Sequence, residues 1–218
     1  MNIKAYIVNI IILCIIGVSL FSSCKKNTDP EPPLTKTMTD TRDNKVYEIV
    51  TIGEQTWLAE NLNYDTIDSW WYSNSGEYGA TYGRLYEWNA AMSACPPKWH
   101  LASDSEWIQL EMFMGMSKEQ ADIEDWRGID EGKKLKSTSG WYDRGNGTDE
   151  VGFNVLAAGM RLFSGKSQEK GFMSRFWTSS DTTNQNAFAR MFYYSTDSIR
   201  RSSSNRFDIG MSVRCIKD

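Results

Sequence analysis

The chain has 218 residues, 24 basic and 28 acidic side chains and a formal charge of −4, so it has room for one domain and some extra segments. That mild acidity leaves no basic footprint and argues against nucleic acid as a partner. Nine Trp, ten Tyr and nine Phe are many for this length, and rings of that size supply the buried area a compact core needs.

Residues 1–23 read as a secretory signal. Lys4 gives a thin positive start, and Tyr6 to Phe21 form an apolar run too short for a stable membrane span. The run ends Leu20-Phe21-Ser22-Ser23-Cys24. This resembles a bacterial lipobox, with Phe21 where Leu is commonest. The resemblance implies that Cys24 is acylated and becomes the mature N-terminus, because two or more acyl chains anchor a protein stably. The expected location is the bacterial cell envelope, lipid-anchored at the outer membrane on its periplasmic or surface face. Ordinary signal cleavage and a soluble exported product is the alternative. Residues 24–44 are polar, hold three of the five prolines and show no apolar period. They are expected to form a disordered tether, with the folded domain spanning 45–218.

Cys14 leaves with the leader and Cys24 carries the lipid, so Cys95 and Cys215 remain for the folded part. In an exported chain they allow one pairing, Cys95–Cys215. Closing a loop of about 120 residues is worth roughly 4–5 kcal/mol in the chain-entropy model. Two unpaired buried thiols are the alternative.

From Lys45 to Gly53 the residues alternate and are rich in β-branched types, which predicts a strand turning at Gly53 into a second one, Gln55–Leu58. Asp65 to Gly83 reads as a loop carrying Trp70, Trp71, Tyr72, Tyr78 and Tyr82. Such rings either form a surface on which sugars or peptide side chains stack, or fold back as a lid on the core. Leu85, Trp88, Ala91 and Met92 share one helical face, predicting a helix over 82–94 that Pro96-Pro97 stops. A second helix is marked by the capping box Ser103-x-x-Glu106 and by Asp104 in its first turn. Trp107, Leu110, Met112 and Phe113 should mostly face the core, and the helix should end near Gly115. A short helix around 118–125 and a turn-rich loop over 142–150 follow. Strands are then expected at 153–156, 160–163, 175–180, 187–194, 198–201 and 211–216, which makes an α+β domain with an antiparallel sheet.

Several motifs occur together in order: Tyr82-Gly83-Arg84-Leu85-Tyr86-x-Trp88, Cys95-Pro96-x-x-Trp99-His100-Leu101-x-Ser103-x-x-Glu106-Trp107, Leu135-Lys136-Ser137, Gly152-Phe153, Ala158-Gly159-x-Arg161, Phe176-Trp177-Thr178-Ser179 and Ser212-Val213-Arg214-Cys215. Over about residues 45–218 this pattern resembles the Fibrobacter succinogenes major paralogous domain. That family is grouped with C-type-lectin-like folds, which also include the formylglycine-generating enzymes. The resemblance implies two helices flanking a twisted antiparallel sheet with adjacent termini, the strand at 45 lying beside the strand at 211. It also implies an exported or surface lipoprotein, at times attached to adhesin- or fimbria-like proteins, and little chemistry.

The tripeptides that calcium-dependent lectins of this fold use, Glu-Pro-Asn, Gln-Pro-Asp and Trp-Asn-Asp, do not occur. Asp143, Asn146, Asp149 and Glu150 offer hard oxygens, but their spacing misses the Asp-x-Asn-x-Asn-Gly calcium loop, and a solvated turn is the simpler reading. Formylglycine-generating enzymes bind copper with paired cysteines, whereas here the two cysteines are better placed for a structural bond. His100 is the single histidine and reads as a structural side chain. Neither a His-rich metal cluster nor a Gly-x-Ser-x-Gly elbow occurs. The expectation is therefore a non-catalytic module without cofactor or metal. It would bind a glycan or a cell-surface protein through Trp70, Trp71, Tyr72 and Tyr78, and reach the membrane through lipidated Cys24. A structural or accessory subunit of a fimbria- or adhesin-like assembly is the alternative.

Overall fold

The computed structural model describes residues 36–183, 185–207 and 209–218. The leader, Cys24 and the tether up to residue 35 lie outside the described residues. Strand β1 (Lys36–Thr39) pairs antiparallel with β2 (Val46–Ile52), which turns at Gly53 into β3 (Gln55–Leu58). Residues 36–44, assigned to the tether from composition, are thus structured. Their turn is tied down by Asp40, fully buried, whose carboxylate accepts two side-chain bonds from Arg42 at 2.9 and 2.7 Å. Arg42 also donates to the Ala94 carbonyl. Backbone pairing and one buried ion pair order a segment that has no apolar period to reveal it.

Next come β4 (Ser69–Trp71), α1 (Gly76–Tyr82), β5 (Arg84–Tyr86), α2 (Trp88–Ala94) and β6 (Trp99–Leu101). They lead to α3 (Asp104–Phe113), α4 (Lys118–Ala121), β7 (Asp125–Arg127) and α5 (Glu131–Leu135). The second half supplies β8 (Met160–Leu162), β9 (Ser167–Gln168), β10 (Met173–Asp181), β11 (Asn186–Tyr193), β12 (Ile199–Asn205), β13 (Ile209–Gly210) and β14 (Cys215–Lys217). The strands form sheets ordered β1-β2-β3-β14-β6, β10-β11-β12-β7, β13-β8-β9 and β4-β5, with antiparallel pairing between the named strands. Antiparallel sheets with helices set apart from them make the fold α+β, as expected. One neighbour relation differs: β14 lies between β3 and β6, so β2 is one place removed from it.

The helix expected over 82–94 is broken at Gly83. That residue has φ 72°, and a Cβ there would lie 2.7 Å from the Leu62 carbonyl oxygen, so only glycine fits. α1 therefore stops, β5 intervenes, and α2 restarts with the Glu87 side chain accepting the Asn89 amide. Trp88, Ala91 and Ala94 form the buried face, while Met92 points outward. No strand forms at 153–156. Asn154 has φ 55°, and the Phe153 and Asn154 carbonyls accept from the Arg214 guanidinium. The strand expected at 211–216 is also interrupted: Met211 and Ser212 make single bridges to Tyr86 and Phe176 before β14 begins.

The capping box of α3 is present, with Ser103 N donating to Glu106 Oε2 at 2.6 Å and Glu106 N to Ser103 Oγ at 3.3 Å. Trp107 and Leu110 are buried, but Met112 and Phe113 are exposed. The inward face instead carries Asp104 and Glu111, seven residues apart and so on one side of the helix. Both meet Arg190 of β11, with Nη1 2.6 Å from Asp104 Oδ1 and Nε 2.7 Å from Glu111 Oε1. Arg127 completes the group on Glu111, and Arg201 on Asp104. Beside this ionic layer, Trp107 packs within 5.5 Å of the rings of Trp57, Phe153 and Phe176. A second apolar cluster gathers Tyr47, Tyr86, Trp88, Trp177 and Cys215. There Cys95, at the end of α2, is disulfide-bonded to Cys215, as expected from the cysteine count.

Candidate functional site

The segment expected to be an aromatic loop is folded into β4, α1 and a short turn, and it sends its rings in three directions. Successive side chains of a strand point to opposite faces, and Trp70 and Trp71 accordingly part company. The Trp71 ring packs on α1 so tightly that a Cβ on Gly79 would lie 2.3 Å from it. Its Nε1 donates to Asn63 Oδ1 at 2.9 Å, and Arg84 sits 4.8 Å above the ring. Tyr72 and Tyr78 meet edge to face at 5.7 Å, and the Lys170 ammonium caps Tyr78 at 4.6 Å. Trp71, Tyr72 and Tyr78 are thus committed to contacts within the fold. Trp70 faces a cleft.

The cleft has a volume of about 550 Å³, within the range of small-molecule sites. β4 contributes Trp70 and the preceding Asp68; the start of α2 contributes Glu87 and Asn89. β8 with its turn supplies Arg161 and Phe163, and β13 with its approach supplies Phe207 and Gly210. These elements are held close: Glu87 N donates to the Asp68 carbonyl at 2.9 Å, and Gly210 pairs with Arg161. A Cβ on Gly210 would stand 3.2 Å from the Arg161 Cβ, so the glycine lets β13 approach β8 at the cleft wall.

Arg161 is the distinctive group. Its guanidinium carbon lies 3.9 Å from the centroid of the Trp70 ring, a stacked cation–π pair. Its Nε is buried without a hydrogen-bond partner, and it forms no ion pair among the described residues. Burial lowers its pKa from the usual guanidinium value. Phe163 and Phe207 are 81 % and 51 % exposed, apolar rings held in solvent at the cleft. Of the two carboxylates, Glu87 is occupied by the Asn89 amide and side chain, at 2.9 and 3.1 Å. Burial raises its pKa, against backbone bonds that pull it down. The Asp68 carboxylate is exposed and makes no hydrogen bond or ion pair among the described residues. Aromatic faces, one unsaturated cation and a carboxylate with free lone pairs equip the cleft to hold a polar ligand with a flat apolar face.

The remaining candidates have other work. Asn146 Oδ1 accepts the Trp141 amide and Asp149 Oδ1 accepts the Asn154 amide, so two of the four oxygen donors considered for calcium shape their own loop. Among the described residues no group of three or more His, Cys, Asp or Glu clusters as a metal site. His100 lies between two carboxylates, Nδ1 2.8 Å from Asp218 Oδ1 and Nε2 2.9 Å from Glu106 Oε1. Partial burial works to lower its pKa, but the two carboxylates outweigh it and the pKa is raised. Sequence reasoning found Trp70 but missed its cleft partners Arg161, Phe163, Phe207 and Asp68. The usable signal was two isolated aromatics in turn-like surroundings, Leu162-Phe163-Ser164-Gly165 and Asn205-Arg206-Phe207.

Neither the curated proteins nor the solved structures contain a match to this chain. The family model for the Fibrobacter succinogenes major domain matches residues 50–217, from within β2 to the end of β14. The chain belongs to the Fibrobacter succinogenes major domain family.

Proposed function

We propose that this is a bacterial envelope lipoprotein, anchored through Cys24, whose C-type-lectin-like domain is a non-catalytic binding module. The contact surface is the cleft beside Trp70, and its ligand is a glycan or a protein at the cell surface. One observation carries this reading: exposed Phe163 and Phe207 flank an arginine that is stacked on Trp70 and lacks an anionic partner among the described residues. Exposed rings around a desolvated polar group favour ligand contact over folding stability. The test is retention of glycans on an array and of envelope proteins on the immobilised mature chain. Trp70→Ala should lose the retained ligand, and Trp71→Ala should act only through stability. A ligand held equally by Trp70→Ala refutes the cleft assignment. A neighbouring surface protein retained independently of Trp70, with no glycan bound, points to an accessory subunit of an assembly. The anchor is checked separately, by incorporation of labelled palmitate that Cys24→Ala abolishes.

A further inference from the structure

Resting on that reading, we infer that the cleft binds a sugar acid, a pyranose bearing one carboxylate among its hydroxyls, and that Arg161 is the residue that selects the acid. The stack on Trp70 at 3.9 Å fixes the plane of the guanidinium and leaves its edge as the donor surface. A planar fork with no acidic partner among the described residues matches a carboxylate, which accepts two parallel N–H bonds. In the folded protein this group has no acidic partner among the described residues, whereas Arg127, Arg190 and Arg201 are all matched with buried carboxylates.

The rest of the lining narrows the class. Among the described lining residues, Asp68 and Glu87 set two negative charges against the one positive charge of Arg161, so a polyanion such as a phosphorylated or acidic peptide would be repelled. A ligand with a single carboxylate and several hydroxyl donors suits both parts. The acid meets Arg161, the hydroxyls donate to Asp68 and bond to Asn89, and the C–H face of the ring lies on Phe163 or Phe207. The binding requires no calcium, since the donors are side chains already in place.

The experiment is calorimetric titration of the mature chain, in detergent and with EDTA, by the methyl glycosides of galacturonate, glucuronate, mannuronate and guluronate, each carrying one carboxylate. Each is paired with its methyl ester and its neutral hexose counterpart. At least one free acid should bind about tenfold or more tightly than both of its uncharged partners, because a site built to satisfy a polar group rejects the analogue lacking it. Arg161→Met should erase that preference, Arg161→Lys should restore part of it, and both should melt within a few degrees of the parent, as Arg161 makes no ion pair among the described residues. Equal binding of acid, ester and neutral sugar, lost in Trp70→Ala, overturns the acid assignment but leaves the cleft as a binding site. No heat from any of the four acids also overturns it, and the binding-module reading then stands or falls on the envelope-protein arm above. A preference for the acid that survives Arg161→Met removes Arg161 as the selecting residue.

Discussion

Glu111 offers the sharpest test of how the interior is held together. Its carboxylate is fully buried and bonds Arg190 Nε at 2.7 Å and the Arg127 guanidinium. With Asp104 it balances three guanidinium groups, those of Arg127, Arg190 and Arg201. In Glu111→Gln the shape survives and one anion disappears, leaving a single carboxylate for three cations. Arg190 keeps Asp104, but Arg127 retains only the carbonyls of Ala121 and Ile199. Removing one partner of a buried ion pair typically costs about 3–5 kcal/mol, and the surviving acceptors place this case near the lower figure. That is a large share of the roughly 5–15 kcal/mol by which domains are stable. The assay is urea unfolding of the oxidised protein, followed by tryptophan fluorescence. The triple replacement Glu111→Leu/Arg127→Met/Arg190→Leu should recover much of the loss, because an apolar layer avoids the desolvation of the charges. A Glu111→Gln variant within about 0.5 kcal/mol of the parent, the ordinary range of surface changes, would refute the reasoning.

Replacing both Cys95 and Cys215 by Ala should lower stability by about 4–5 kcal/mol, since the bond closes a separation of 120 residues; denaturant midpoints of the parent under reducing and oxidising conditions should differ in the same direction. Gly79→Ala should destabilise by about 1–3 kcal/mol, because the added carbon would meet the Trp71 ring at 2.3 Å. A normal melting temperature in that variant would show that the ring moves freely. The raised pKa of His100 means that its contribution is complete below the unfolded value near 6.5 and fades as pH rises through the folded value. Unfolding midpoints compared at pH 5.5 and 8.5 should therefore fall more in the parent than in His100→Gln. Glu106 has the opposite sign: its lowered pKa gives stability above about 4.5 that is lost in stronger acid.

Much of the frame was legible because local rules decided it. The hairpin over β2 and β3, the capping box of α3, the strands β10 and β11 and the disulfide all follow from alternation, cap chemistry or cysteine count. Two of the failures share a cause: a contact from far along the chain overruled the local pattern. Arg214 claims the carbonyls of Phe153 and Asn154, a separation of about sixty residues, and no strand forms there. Arg190 draws Asp104 and Glu111 inward, which turns Met112 and Phe113 out to solvent. The site was half visible for the same reason. Trp70 was expected only as one of four contact aromatics, with Trp71, Tyr72 and Tyr78, and the cleft exists only where β4, α2, β8 and β13 converge, a meeting that no window of sequence contains.

The position of β14 has a consequence for how the molecule assembles. β14, the last strand in chain order among the described residues, fills the gap between β3 and β6, joining Ile216 to both Trp57 and His100. Without it, β3 and β6 face each other across an unfilled slot. Closing this sheet therefore joins partners more than a hundred residues apart, and pairings of such separation slow folding.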